Sequence, residues 1–280
     1  MIQHDDQLAG TKGFIPSVAK RPPEISFGGR VLFLADDAEL IRRQLHEGLN
    51  PELTRDLKAK LRDQISTDEI TPAYICFFYD ETLGDFPYLG LEVRSGGAGG
   101  HGADGRAAAD STEAPIERGT VRAGGFICSV AGKRRGKGSS REQSPYAELM
   151  AGIKVVVSES IERIYNENCQ NLGILTTTNF GLIDRIRSGE PIPLSEFTAG
   201  TDEITRQIIE YGGLFEFNMA RLQGQVTLPA PRAAAGPDGA SERPAASRGS
   251  QAEDAPQARP GPRPQPRGGE GVGRQRGGAG

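Results

Sequence analysis

From residue 29 onward, short β-branched apolar runs alternate with segments whose apolar residues fall at helical spacing. That alternation restricts the chain to an α/β fold with parallel strand pairing. Residues 29–34 form an apolar run bounded by glycine and read as a buried strand. Residues 36–45 start acidic and end basic, with Gly48 as a stop, and read as a helix. Further along, residues 121–131 predict a strand and residues 146–151 a helix ending at Gly152. Residues 153–157 predict a third strand, and residues 160–169 an amphipathic helix capped by Ser158 or Ser160. Residues 171–175 lead into another short strand, residues 180–187 read as helical, and residues 204–211 as a last helix before Gly212 and Gly213. This count fits one domain of roughly 200 residues.

Composition sets the edges of that domain. Residues 226–280 hold no aromatic residue, no Ile and no Lys, and are mostly Ala, Pro, Gly and Arg. Such a segment buries too little apolar surface to offset its chain entropy and is expected to be a disordered tail. Residues 1–27, with Pro16, Pro22 and Pro23, read as a flexible N-terminal arm, leaving residues 28–225 as the folded unit. Within it, the Gly/Ala-rich residues 95–115 predict a mobile surface insertion. The tail carries eight Arg and five acidic residues, net +3, so residues 1–225 carry −7 of the total −4. An acidic folded part argues against nucleic acid as a partner. Cys76, Cys128 and Cys169 lie far apart and only three His are present, poor material for a metal site held by this chain alone. The first residues lack a basic start and an apolar core, and no apolar run approaches the roughly 20 residues of a membrane span. A cytoplasmic protein without a membrane partner is the expectation.

The chemistry concentrates in Gly136-Lys137-Gly138-Ser139-Ser140-Arg141-Glu142-Gln143-Ser144-Pro145. Glycines at 136 and 138 let the backbone approach a bound group, while Ser139 and Ser140 are placed to cap a helix beginning at Arg141. A helix start with a guanidinium makes an anion site, for a carboxylate or a phosphate; an ordinary Ser-capped helix is the alternative. The preceding Lys133, Arg134 and Arg135 read either as a solvated loop or as a positive field for that anion. Upstream, residues 63–71 form a polar loop including Thr67 and Asp68, followed by an aromatic run, Tyr74 to Tyr79, that is expected to be a largely buried strand. Residues 132–138 superficially suggest a phosphate-binding loop. However, three residues rather than four separate the glycines, and Gly138 rather than Ser or Thr follows Lys137.

Residues 136–143, followed by 151–160 and 168–175, resemble the swivel domain of the aconitase and isopropylmalate dehydratase family, small-subunit-like, and residues 66–72 look like that domain's other signature. The resemblance covers about residues 60 to 180 and implies a swivelling β/β/α domain. It implies a hydro-lyase that isomerises a hydroxy di- or tricarboxylic acid by dehydration and rehydration, active only with a cluster-bearing domain or large subunit that holds a [4Fe-4S] cluster. Carried over by position, Ser139 matches the serine that removes a proton as alkoxide, Arg141 the arginine that grips a substrate carboxylate, and Asp68 the acidic residue of the upstream loop. Ser140 and Thr67 line the same site, and Tyr74, Ile75, Cys76 and Phe77 match a segment that reads the substrate's variable group.

Two positions depart from the pattern. Glu69 stands where aconitases often have His, which puts a proton role there in doubt, and the run from Tyr74 to Tyr79 lacks the second substrate arginine of aconitases. An apolar lining there favours a substrate with an alkyl side group over citrate, although packing of a buried strand explains the same residues. The alternatives are a catalytically inactive swivel-fold interaction module, or a truncated fragment whose natural continuation has been lost.

Overall fold

The computed structural model describes residues 17–95, 111–138 and 140–227. The expected tail from 228 onward, the first 16 residues, most of the Gly/Ala-rich insertion and Ser139 lie outside the described residues.

Four parallel strands form the central sheet: β1 (Arg30–Phe33), β2 (Phe126–Ala131), β3 (Val155–Ser158) and β4 (Leu175–Thr177), in that spatial order. The expected parallel α/β architecture is therefore present. Residues alternate between the two faces, as strand geometry requires. Leu32 and Val156 join one core cluster with Ile41, Ile65 and Ile153, while Val31, Phe33, Val155 and Val157 join another with Ile183, Ile186 and Ile209. Helical segments supply both clusters, so both faces of the sheet are covered and its strands are almost wholly buried.

Helix α1 (Ala38–His46) starts where the acidic signal placed it, with the Asp37 side chain accepting from Leu40 N. The polar loop contains a one-turn helix, α2 (Thr67–Ile70), closed by a capping box in which Ser66 and Glu69 satisfy each other's backbone N–H groups. Helices α3 (Gln143–Met150) and α4 (Arg163–Asn171) connect β2 to β3 and β3 to β4. Helix α5 (Glu203–Tyr211) is not the last, because Gly212 and Gly213 turn the chain into α6 (Leu214–Leu222).

Several expectations need correction. The chain from Tyr74 to Tyr79 is not a buried strand. Ala73–Ile75 is a 3₁₀ turn held by bonds such as Ile75 N to Pro72 O at 3.0 Å, and Tyr74, Phe77, Phe78 and Tyr79 are exposed. The four sheet positions are filled by other segments, so high β-propensity found no partner strand. Residues 120–124 form a helical turn, and the strand begins only at Phe126. Ser158 does not cap α4; its hydroxyl donates to Gly132 O, while Ser160 Oγ accepts from Arg134 N at 2.8 Å and Glu162 occupies the cap. From residue 17 the arm is packed: Glu24–Ile25 pairs with Ile192–Pro193, and Arg21 N donates to Glu210 O at 2.6 Å. At the edge of the expected insertion, Thr112–Glu113 pairs antiparallel with Val93–Arg94.

Candidate active site

The chain leaves the C-terminal end of β2 at Ala131 and runs as residues 132–138 across the end of the sheet, where open α/β sheets place their sites. Bridges on both sides hold this crossing: Lys137 pairs in parallel with Ser66, and Arg135 with Ile161. Gly136 N and Lys137 N both reach Ile65 O, at 2.8 and 3.1 Å, and Thr67 N donates to Lys137 O at 2.9 Å. Gly136 has φ of +80°, and a Cβ there would lie 2.2 Å from the Tyr165 ring, so the crossing sits directly on that ring and admits only glycine.

This seam brings the two sequence signatures together. Arg141 Nη1 forms an ion pair with Asp68 Oδ1 and also donates to Thr71 O at 3.3 Å, joining residues 73 positions apart. Ser144 Oγ adds a buried bond to Thr67 O at 3.0 Å. The Asp68 carboxylate is 61% exposed and Arg141 24%, so the pair lies at the surface end of the seam. Ser140 is exposed beside it, and Thr67 is buried beneath, near Gly138. Ser139 lies outside the described residues. Gly90 backs the Asp68 loop, where a Cβ would come within 2.5 Å of Asp68 O. Of the 74–77 segment, Ile75 packs inward, Cys76 is half-buried, and Tyr74 and Phe77 project into solvent at 72% and 91% exposure.

The local reading of the turn needs revision in two respects. Helix α3 begins at Gln143 with Glu142 at its cap and no side-chain capping bond, so neither Ser140 nor Arg141 starts the helix. The basic cluster is not a free positive field: Lys133 and Arg134 pair with Glu159 and Glu162, and Arg135 is fully buried. Lys137, exposed beside them, has its Nζ bonded to Gln64 Oε1 at 3.3 Å.

Beneath the crossing lies a polar network that local motifs did not reveal. Arg135 pairs with Glu148 of α3, and its Nη2 also donates to Ser129 Oγ at 2.7 Å and Tyr88 OH at 2.8 Å. The Tyr88 and Tyr165 hydroxyls both donate to Glu148. Burial alone would lower the Arg135 pKa, but Tyr165, Tyr88 and Glu148 together drive it well above its ordinary value. Burial drives both tyrosine hydroxyls upward. A usable signal was Glu148 itself, an acidic residue set among the apolar positions of a core-facing helix. Gln64, Tyr88 and Arg134, the non-glycine residues with positive φ among the described residues, all sit in segments that frame this network and the seam. Backbone strain of this kind clusters where surrounding structure fixes a site.

Among the described residues, no group of three or more His, Cys, Asp or Glu side chains converges on a possible metal position. Cys128 and Cys169 are buried in β2 and α4, where burial raises both thiols, Cys128 to about 12. No helix among the described residues is long and apolar enough to cross a membrane.

Residues 112–179 match the family model described as aconitase C-terminal domain. The 3-isopropylmalate dehydratase small subunit of Nitratidesulfovibrio vulgaris is 30% identical over 179 residues, 59% of this chain and 93% of that protein. The isopropylmalate/citramalate isomerase small subunit of Methanocaldococcus jannaschii is 27% identical over 172 residues, 61% of this chain and 88% of its own length. A crystal structure of 3-isopropylmalate dehydratase (leuD) from the same organism aligns with 58% of this chain and 91% of its own at 24% identity, with a TM-score of 0.38. With the two signature loops joined in space and a relative matched across nearly its whole length, the chain belongs to the 3-isopropylmalate dehydratase small-subunit family within the aconitase superfamily.

Proposed function

We propose that this chain is the swivel component of a hydro-lyase that isomerises an isopropylmalate-like hydroxy dicarboxylic acid by dehydration and rehydration. Catalysis requires closure on a large subunit or domain carrying a [4Fe-4S] cluster. The observation that carries this reading is the Asp68–Arg141 pair at the surface end of the seam. Among the described residues both partners of Arg141 engage Nη1, and the edge formed by Nε and Nη2 is proposed to meet a planar carboxylate. Ser139, two residues before Arg141, is the proposed base, and Ser140 and Thr67 are proposed to shape the same pocket. A serine becomes a useful base only where its anion is stabilised, and the neighbouring guanidinium is suited to that. Tyr74, Cys76 and Phe77, with Ile75 as their buried anchor, are proposed to meet the substrate's alkyl group. The described residues of this chain do not form a ligand set for an iron–sulfur cluster, and the cluster is assigned to the partner. Residues 28–225 are proposed as the swivel domain.

The test is reconstitution under anaerobic conditions with an isopropylmalate dehydratase large subunit, following dehydration of isopropylmalate and of citrate. Turnover of isopropylmalate, abolished by Ser139→Ala with the complex still formed, is the expected result. A stable complex that dehydrates neither acid overturns the proposal.

A further inference from the structure

At the opposite end of the sheet from the seam lies a cavity of about 380 Å³. Its walls come from the starts of the strands: Ile127 near the beginning of β2, Lys154 just before β3, and Leu175 at the first position of β4. Leu149 of α3 and Phe27 of the packed N-terminal segment complete an apolar surround. The charge on the lining is one-sided: among the described residues Arg21 and Lys154 line it and no acidic side chain does.

The two cations differ in placement. Arg21 sits in the wall, anchored by its Nη2 to Gly173 O. Burial pulls this guanidinium below its ordinary value, and Glu216 only partly opposes that, without coming within ion-pair distance. Lys154 is exposed at the rim and makes no ion pair among the described residues. Gly173 closes one side against Gly212, so tightly that a Cβ there would lie 2.0 Å from Gly212 O and 3.2 Å from Arg21 Nη2. A concave site of this size, mainly apolar with a few convergent polar groups, is the common form of a small-molecule site.

We propose that this cavity binds an amphipathic monoanion, a carboxylate or comparable head group on a short aliphatic body, with Arg21 and Lys154 meeting the head group and Phe27, Ile127, Leu149 and Leu175 the body. The site is separate from the Asp68–Arg141 seam and does not depend on the function proposed for it. Because the segment carrying Arg21 and Phe27 forms one wall, occupancy fastens that segment to the sheet and stabilises the fold by mass action.

The experiment is calorimetric titration of the full chain with octanoate below its micellar concentration, beside 1-octanol, octylamine and inorganic phosphate, with amide chemical shifts to locate binding. Expected are 1:1 octanoate binding with shifts at Lys154, Leu149 and Leu175, and binding of the other three probes weaker by about tenfold or more. Lys154→Gln, at an exposed position that does not threaten folding, is expected to weaken octanoate about tenfold, and Arg21→Gln to do the same or more. Octanol binding as tightly as octanoate overturns the proposal, since the cavity would then be a greasy cleft without anion recognition. Phosphate binding as tightly as octanoate, octanoate affinity unchanged in Lys154→Gln, or no octanoate binding also overturns it.

Discussion

Arg135 and Glu148 form an ion pair in which neither side chain retains any solvent exposure, and the pair lies directly under the crossing that carries the candidate site. Desolvating two charges is repaid only when the geometry is good and the remaining donors and acceptors are met. Here Ser129, Tyr88 and Tyr165 supply those partners. Removing one charge strands the other, so Glu148→Leu and Arg135→Met are each expected to cost about 3–5 kcal/mol. The double variant is expected to lose less than the sum by about 1–3 kcal/mol, although the tyrosine hydroxyls it orphans keep it below wild type. Urea unfolding of the four proteins checks this; additive losses would mean that the two charges do not act as a pair.

The same network makes stability sensitive to alkali. Burial favours the neutral forms of Tyr88 and Tyr165, raising both well above 10.0. Cys128 is raised from 9.0 to about 12. Above the ordinary values the unfolded chain releases protons that the folded chain still holds, so the unfolded state binds fewer protons and stability falls as pH rises. The unfolding free energy is expected to be unaffected by these groups below about pH 9 and to fall from there toward about pH 12. Phenolate absorbance from Tyr88 and Tyr165 should appear together with loss of circular dichroism. Full phenolate development in a still-folded protein would contradict this.

How much could be read from the chain alone depended on how local the cause was. The run at residues 29–34 and the Asp37 start of α1 were legible because strand burial and capping act within a few residues. The pairing of the Asp68 loop with Arg141 was reachable only through resemblance to a family, since the two lie 73 residues apart. Arg135 was misread as part of a surface charge cluster because what permits its burial is Glu148 on another element and Tyr88 in a distant loop. The aromatic run after Pro72 failed for a related reason. Strand propensity describes fit to a pleated surface, and the run folds as a 3₁₀ turn and exposed loop that joins none of the sheets.

Arg141→Lys separates a substrate-gripping role from a structural one. Lysine can still reach Asp68 as a point charge, but it offers no planar fork to a carboxylate. In the reconstituted enzyme, kcat/KM is expected to fall by about a hundredfold or more, most of it in KM if the grip acts equally in ground and transition states. Because the Asp68 partner is largely exposed, stability is expected to change by less than about 1 kcal/mol. Wild-type kinetics in this variant would reduce Arg141 to a staple between two loops.

The exposed ridge after Pro72 makes the most direct prediction about assembly. Phe78 stacks on Phe86 with ring centroids 6.1 Å apart, and Tyr79 on Tyr146 at 4.8 Å, so two members are fixed from below. Tyr74 and Phe77 are left standing outward, beside the Thr71 carbonyl that receives Arg141. Clustered exposed aromatics next to a candidate half-site are suited to a partner surface, and buried aromatics dominate such interfaces energetically. Since Phe77 has almost no contact to lose in the free chain, Phe77→Ser is expected to leave unfolding within about 0.5 kcal/mol of wild type. Affinity for the large subunit, measured by sedimentation or calorimetry, is expected to drop about tenfold or more. Should the affinity stay unchanged while turnover of isopropylmalate falls, Phe77 would serve the substrate pocket proposed above and not the partner surface. If neither moves, the ridge plays no part in either.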